Sequence, residues 1–247
     1  MKTFIKITVF IILSILTFSC SNNQKSADQP VRVLLITGGH DFDKEPFYAL
    51  INSLQGITVS EVKHPDALTM FRPENRHLYD VVLLYDMPNT ISEQEKADFI
   101  DCLKEGKGLV VWHHAYCAYQ DWPEYKNIAG GRYYERAWTD EDGVEHQQSR
   151  YKHDVDLRVN IADTEHQITK GITDFDIIDE AYRNCVVNQG VHILLTVDDP
   201  ISVPSVAWTH NYENSKVVTL LLGHDNQAWS NPNFVKVLTQ SILWVTK

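Results

Sequence analysis

Three apolar segments of this chain, each typical of a buried strand, are followed within a few residues by histidines. In chain order they are residues 33–37 before His40, residues 109–112 before His113 and His114, and residues 217–222 before His224. Imidazole is the side chain best suited to move protons or to bind a metal near neutral pH. In an open parallel sheet, ligands bind in the crevice beyond the carboxyl ends of the strands. The pattern therefore predicts a polar, catalytic cleft that collects several imidazoles, and it does not identify the substrate.

The adjacent pair His113 and His114 is expected to divide between the cleft and the interior. Successive side chains at an extended strand end point to opposite faces, so at most one of the two faces the cleft directly, and we favour His114. His224 follows Gly223, and a glycine there permits a tight turn and a close approach of the backbone to a ligand. A capping or turn role is the alternative for His224.

Glu180 is the carboxylate best placed for acid–base chemistry. It follows an apolar run beside Asp179, and adjacent carboxylates on a strand face opposite sides, so one can be buried while the other is solvated. A helix-terminal acid or a surface ion pair is the alternative. We assign the catalytic role to these side chains, with His114 or His224 as general base and Glu180 as the partner acid.

A second group of residues is expected to contact the substrate. Aromatic rings stack on the C–H faces of sugars, and Trp122 and Trp229 lie among polar residues, where less burial is expected than for Trp112 or Trp208. The predicted binding set is His40, Asp41, His113, Trp122, His166 and Trp229. Turn, packing and loop-orienting roles are the alternatives for its histidines.

A metal site is the alternative use of the same side chains. His40, His114, His224 and Glu180 offer the nitrogen and oxygen ligands that zinc or manganese accepts. No HExxH or comparable short spacing is present. The sequence therefore predicts no cofactor and leaves a divalent metal as the alternative.

The N-terminus has the anatomy of an export signal. Lys2 and Lys6 precede an apolar stretch too short for an ordinary membrane span, and the stretch ends at Cys20. This resembles a bacterial lipoprotein signal, although Leu16 lies four residues before the cysteine instead of three; a secretory signal or an uncleaved anchor is the alternative. The predicted organisation is a signal over residues 1–20 with Cys20 lipidated, a polar tether over 21–30 and one domain over 31–247. We expect an exported lipoprotein of the bacterial cell envelope, attached to the membrane by its lipid, in a leaflet that the sequence does not specify.

Composition excludes some classes of function. The net charge of −11 and the lack of Lys and Arg clusters argue against nucleic-acid binding. The three cysteines beyond Cys20 are an odd number without CxxC spacing, which argues against a disulfide framework. The oligomeric state is left open.

Apolar runs alternate with helical patterns, which favours an α/β fold whose mostly parallel sheet is covered on both faces. Strands are predicted at 31–37, 57–63, 80–85, 109–112, 155–161, 177–182 and 193–197, an antiparallel pair at 205–209 and 216–222, and helices at 45–54, at 92–105 and from about Pro232. The polar stretch from Glu135 to His153 is predicted to be a long surface loop.

Several of these segments, in order, resemble the ThuA-like family, named for trehalose utilisation. They are Gly108–His114, Trp122, Gly130–Tyr133, Glu165–Ile172, Asp179–Tyr182, Val206–Trp208 and Leu222–His224. The likeness spans roughly Val31 to the C-terminus. Gln167 and Ala181 replace a proline and a leucine of the family pattern, and neither change removes a reactive group.

The resemblance implies a class I glutamine amidotransferase-like fold, which is a flavodoxin-like three-layer α/β/α sandwich. It also implies handling of a small carbohydrate, such as trehalose, a related glucoside or a 3-keto form, by isomerisation, elimination or hydrolysis. It does not imply amidotransferase chemistry, because the turn after the strand carries His113 and His114, while Cys117 lies too far along to meet a base there. A non-catalytic sugar-binding lipoprotein, or a scaffold that meets a partner through the loop 135–153, remains the alternative.

Overall fold

The computed structural model describes residues 29–140 and 142–246. The predicted signal, with Cys20, and nearly all of the predicted tether lie outside these residues. The strands, in chain order, are β1 (Val31–Gly38), β2 (Ile57–Lys63), β3 (Val81–Asp86), β4 (Gly108–Trp112), β5 (Gly131–Arg132), β6 (Trp138–Thr139), β7 (Glu145–His146), β8 (Arg150–Ile161), β9 (Phe175–Arg183), β10 (Val186–Val187), β11 (His192–Val197), β12 (Ser205–Tyr212) and β13 (Ser215–Leu220). The helices are α1 (Lys44–Ser53), α2 (Glu93–Lys104), α3 (Tyr125–Ala129), α4 (Asn226–Trp229) and α5 (Pro232–Trp244). Over the described ranges, no helix combines the length and the hydropathy that a membrane span requires.

One mixed sheet of nine strands organises the domain, in the order β2-β1-β3-β4-β13-β12-β11-β8-β9. The pairings from β2 to β13 are parallel, and those from β13 to β9 are antiparallel. The short strands form two separate ribbons, β5 with β10 and β6 with β7. This architecture confirms the predicted α/β fold, including the antiparallel pair β12 and β13.

The inner strands of the parallel half, β1, β3 and β4, are buried because helices cover both faces of the sheet. Every residue of β3 and β4 is buried, as expected for strands that read as continuous apolar runs. On one face, aromatic rings of α1, α4 and α5 meet around Trp112, including Phe47 and Phe234. On the other, Phe99 of α2 stacks on Phe71 and contacts Trp122 beside α3.

Local signals set the helix boundaries close to the predicted ones. Ser92 caps α2 in a reciprocal capping box, in which its hydroxyl accepts from the Glu95 backbone N–H and the Glu95 carboxylate accepts from the Ser92 backbone N–H. Asn231 caps α5 through its side-chain oxygen, with Pro232 in the first turn. Side chains therefore satisfy backbone donors that a helix N-terminus leaves free.

The predicted surface loop from Glu135 to His153 is wrong in part. Its centre forms the β6–β7 ribbon, and β8 begins at Arg150, five residues before the predicted strand. The first five residues of β8 are exposed, so this part of the strand has no apolar period to reveal it. Its pairing with β9 identifies it as a strand.

Candidate active site

Topology brings the predicted histidines to one edge of the sheet. The chain segments that follow β1, β4 and β13 leave the sheet at the same edge, because these strands belong to its parallel half. The ring centroids of His40 and His114 lie 3.8 Å apart, those of His113 and His224 5.1 Å, and those of His114 and His224 5.3 Å. The four rings form one cluster beyond the carboxyl ends of the strands.

Strand β9 brings the carboxylates to this cluster from the far end of the sheet. Four strands separate β9 from β4 in the sheet order, yet Glu180 Oε2 lies 3.0 Å from His113 Nε2. The antiparallel half must therefore curl back over the edge where β4 and β13 end. Asp179 and Glu180, both buried, occupy adjacent positions on β9 and contact different parts of the site.

A bulge in β8 adds a further histidine. Lys152 pairs with Ala181 and Val155 with Asp179, so two residues, His153 and Asp154, oppose the single residue Glu180. Asp154 takes the left-handed backbone conformation there, with a φ of 54°. Bulges of this kind redirect side chains next to active sites. This one places His153 Nδ1 3.3 Å from Glu180 Oε1.

His113 is held in one orientation by its backbone and by a carbonyl. It begins a 3-10 turn with a φ of 48°, a left-handed conformation that is uncommon outside glycine. Its Nδ1 donates to the backbone oxygen of Leu221 at 2.5 Å, so Nε2 faces the cluster. There it lies 3.0 Å from the Tyr182 hydroxyl and 3.2 Å from His224 Nδ1. The strand end is not extended, which is why both His113 and His114 join the cluster.

His114 is the imidazole that faces the cavity beside the cluster. It is 4% exposed, it stacks on His40 and it contacts the edge of the Tyr85 ring. Among the described residues, neither of its ring nitrogens has a hydrogen-bond partner. A buried polar group without a partner is costly, and such groups are rare.

The buried carboxylate of Asp179 joins β9 to the loop after β13. Its oxygens accept the backbone N–H groups of Gly223 at 2.6 Å and His224 at 2.9 Å, as well as that of Glu180 at 2.8 Å. The Tyr85 hydroxyl donates to the carbonyl of His224 at 2.9 Å. These contacts fix the position of the His224 backbone relative to Glu180.

Electrostatics divides the cluster into charged and neutral members. Burial raises the pKa of Glu180, but its hydrogen bond with His113 and the charges of the three adjacent histidines outweigh burial and hold that pKa below its usual value. Burial lowers the pKa of His113, but the hydrogen bond with Glu180 and the charge of that carboxylate outweigh burial and raise it. Burial and the charge of His113 lower the pKa of His224 to about 4, and burial with the neighbouring histidines lowers that of His114 strongly. Burial raises the pKa of Asp179 to about 6. Glu180 is thus ionised and suited to accept hydrogen bonds or to ligate, and His114 and His224 are neutral near pH 7.

A cavity of about 350 Å³ opens beside the cluster, within the size range of small-ligand sites. Its lining combines ionisable, aromatic, amide, hydroxyl and sulfur-containing side chains, namely His40, His114, His153, Glu180, Glu135, Tyr133, Tyr151, Tyr182, Gln148, Ser149, Met87 and Cys117. The site offers several hydrogen-bond donors and acceptors next to ring faces.

Of the remaining predicted binding residues, only His40 lines this cavity. Trp122 and Trp229 are 5% and 3% exposed and pack in the two aromatic layers that cover the sheet. His166 lies near His192 and Trp244, away from the cluster, and Asp41 is exposed beside His40. Polar neighbours in sequence suggested exposure for both tryptophans, whereas long-range packing against α1 and α2 determines their burial.

Two residues that contact His113 or Glu180, namely Tyr182 and His153, were not identified from the sequence. Tyr182 shares a face of β9 with Glu180 at a spacing of two, so the strand period could have identified it. His153 could not be found in this way, because the bulge that turns it toward Glu180 leaves no apolar pattern.

Cys117 has the environment of an inert thiol. It ends the 3-10 turn, is buried, and burial raises its pKa well above the usual value. A nucleophilic cysteine needs a lowered pKa. The buried environment of Cys117 therefore does not favour a nucleophilic role for this thiol.

Comparison with known proteins identifies the family. The family model described as "ThuA: Trehalose utilisation" matches residues 32–245. A ThuA-like protein of Parabacteroides merdae has a TM-score of 0.72 at 20% identity, covering 89% of this chain and 91% of its own. A second, of Bacteroides uniformis, has a TM-score of 0.63 at 19% identity, covering 89% and 93%, and a protein of Salmonella typhimurium described as cytoplasmic has 0.59 at 12%, covering 87% and 99%. No curated protein matches the chain. Since the matched region takes in nearly the whole domain, this chain belongs to the ThuA family.

Proposed function

We propose that this protein is a carbohydrate-processing enzyme that moves protons on a bound glucoside or 3-keto-glucoside. One observation carries the proposal. Glu180 is a buried carboxylate on the cavity wall, with one oxygen 3.3 Å from His153 Nδ1 and the other 3.0 Å from His113 Nε2. Ionisable groups with perturbed pKa values that converge in a cleft are typical of catalytic sites.

The cavity lining suits a small polyhydroxylated ligand. Gln148, Ser149 and the tyrosines provide donors and acceptors for sugar hydroxyls, and the rings of Tyr133 and Tyr151 provide apolar surfaces for C–H faces. The trehalose-utilisation description of the family supports the same class of ligand.

The reaction that fits best is proton removal from the carbon next to a sugar carbonyl. His114 borders the cavity, and its ring nitrogens have no hydrogen-bond partner among the described residues. It takes the proton, and the C–H electron pair forms a double bond as the carbonyl becomes an enolate. When the hydroxyl proton of the deprotonated carbon moves to the enolate oxygen, return of the abstracted proton to the former carbonyl carbon gives an isomer. When the enolate instead re-forms the carbonyl and a substituent on the next carbon leaves with its bonding electron pair, which a proton then takes up, the result is elimination. Glu180 and His224 complete the proton-transfer set, with His40 and His113 positioning ligand and cluster.

Solution NMR tests this function. The protein is mixed in deuterated water with a panel of glucosides and their 3-keto derivatives, and each sugar proton is followed with time. Loss or solvent exchange of one specific proton supports the enzyme and identifies the carbon that reacts. Line broadening without chemical change would contradict the enzyme proposal. It would indicate a sugar-binding protein in which the same side chains serve only as ligand contacts.

The proposed location is the cell envelope, with Cys20 as the lipidated first residue. Mass spectrometry of the native protein tests it. An N-terminal diacylglyceryl cysteine at position 20 supports the proposal, and an unmodified Cys20 or cleavage elsewhere rejects it.

A further inference from the structure

Two ring nitrogens and one carboxylate oxygen of the site converge within 3.6 Å of one another. His113 donates from Nδ1 to the Leu221 carbonyl, which leaves Nε2 to face Glu180 Oε2 and His224 Nδ1 at 3.0 and 3.2 Å, with the Tyr182 hydroxyl also at 3.0 Å. His224 Nδ1 lies 3.6 Å from the same carboxylate oxygen. A single proton bridges one of these contacts well, whereas all three atoms can donate electron pairs to one cation.

The three atoms form a triangle whose size matches a coordination sphere. Its sides are 3.0, 3.2 and 3.6 Å. A tetrahedral zinc ion with ligands at 2.0–2.1 Å separates neighbouring ligand atoms by roughly 3.3 Å. The side chains therefore stand where such an ion needs them, with little rearrangement.

We propose that His113 Nε2, His224 Nδ1 and Glu180 Oε2 bind a divalent first-row transition metal of the zinc class. Two histidines and one glutamate with an open fourth position is a ligand set of catalytic zinc. A nitrogen of His114 also lies within 4.8 Å of the ligand atoms of His113 and His224, on the cavity side. An ion held by the three atoms would therefore lie next to the cavity that His114 and Glu180 line.

Supporting contacts of the kind found around metal ligands are already in place. Metal-bound histidines commonly donate their other ring nitrogen to a backbone carbonyl, as His113 does to Leu221. Asp179 and Tyr85 hold the backbone of His224 from both sides. Glu180 Oε1 contacts His153, so that carboxylate is oriented as well.

This site deepens the proposed function and rests on it only for its role in catalysis. A metal there would polarise the sugar carbonyl and stabilise an enolate oxygen. Glu180 and His224 would then serve as ligands, and proton transfer would fall to His114, with His153 as the second ionisable group on the cavity wall.

Metal titration tests the site without any sugar. Full-length protein, purified without a histidine tag and stripped with a chelator, is titrated with Zn²⁺ by calorimetry and with Co²⁺ by visible absorption. We expect about one equivalent of each metal to bind, a four-coordinate cobalt spectrum, and a rise in Tm with Zn²⁺ because the metal binds the folded state. Glu180→Gln and His224→Asn should weaken binding at least about 100-fold.

His166→Asn is the matched control, because His166 lies beside another histidine outside the cluster. Binding that is sub-stoichiometric in the wild type, or that falls equally in His166→Asn, overturns the proposal. The wild-type stoichiometry decides the matter even if a cluster variant fails to fold. A metal site with no change in any sugar would reject the proposed function alone, and turnover that survives complete metal removal would reject the metal's role in it.

Discussion

At the scale of single residues, burial of His114 destabilises the fold, and no hydrogen bond among the described residues compensates for it. Its ring is 4% exposed, and neither nitrogen has a hydrogen-bond partner among the described residues. His113, its neighbour, has contacts on both nitrogens. Proteins keep such costly groups where function requires them.

Replacing His114 should therefore separate function from stability. His114→Leu has a similar side-chain volume and no polar atoms. It should abolish sugar turnover, while the free energy of unfolding should rise by about 1–3 kcal/mol because the desolvation penalty disappears. Denaturant unfolding and the sugar assay measure the two effects. A destabilised variant with intact turnover would show that His114 is a packing residue.

The sequence identified the cluster residues that directly follow strands and missed those whose position depends on distant contacts. His40, His114 and His224 follow parallel strands, so the rule on carboxyl ends was sufficient for them. His153 depends on a bulge, and the burial of Trp122 on packing against α2. Neither leaves a local pattern.

At the scale of elements, the turn between β13 and α4 sets the position of His224. Gly223 has a φ of 102°, and its carbonyl accepts from Trp229 Nε1 at 2.9 Å. A Cβ at this position would overlap Trp112 Nε1 and the Phe234 ring. The turn therefore requires glycine both for its conformation and for the close approach of two rings.

Gly223→Ala should cost about 3 kcal/mol in the free energy of unfolding, since backbone strain and overpacking add. The matched control is Gly56→Ala, which also has a positive φ, 73°, but meets no atom within 4 Å. The control should cost only about 1–2 kcal/mol. Urea unfolding of both variants checks this, and equal costs would contradict the crowding at Gly223.

At the scale of the whole molecule, the two halves of the sheet differ in how far the sequence reveals them. The inner strands of the parallel half, β1, β3 and β4, were predicted because they are buried on both faces and alternate with helices. The start of β8 was not, because its residues are exposed on both faces. The curl of β9 over the parallel edge, which completes the site, results from tertiary contacts such as Asp179 with Gly223.

A half-buried histidine outside the site, His210, makes the stability of the domain sensitive to acid. Burial lowers the pKa of His210 from 6.5, against backbone hydrogen bonds that raise it. The folded state thus binds this proton less tightly than the unfolded chain. Its contribution to stability is present above about pH 6.5 and is lost as pH falls from there toward the folded pKa.

His210→Gln should flatten the dependence of unfolding free energy on pH between about pH 7.5 and 5, relative to the wild type. Glutamine can still donate to the Asn127 carbonyl, which the His210 ring contacts at 3.1 Å. Guanidinium unfolding across that range checks this, with His77→Gln at an exposed position as control. A pH profile parallel to that of the wild type would show that His210 does not contribute to the pH dependence of the unfolding free energy.

The measurement that tests the central claim most directly is the rate of solvent exchange at the reactive sugar proton, compared between wild type, Glu180→Gln and the exposed control Glu165→Gln. If the cluster around Glu180 carries the chemistry, exchange falls at least about 100-fold in Glu180→Gln and is unchanged in Glu165→Gln. Exchange at the wild-type rate in folded Glu180→Gln would place the chemistry elsewhere in the molecule.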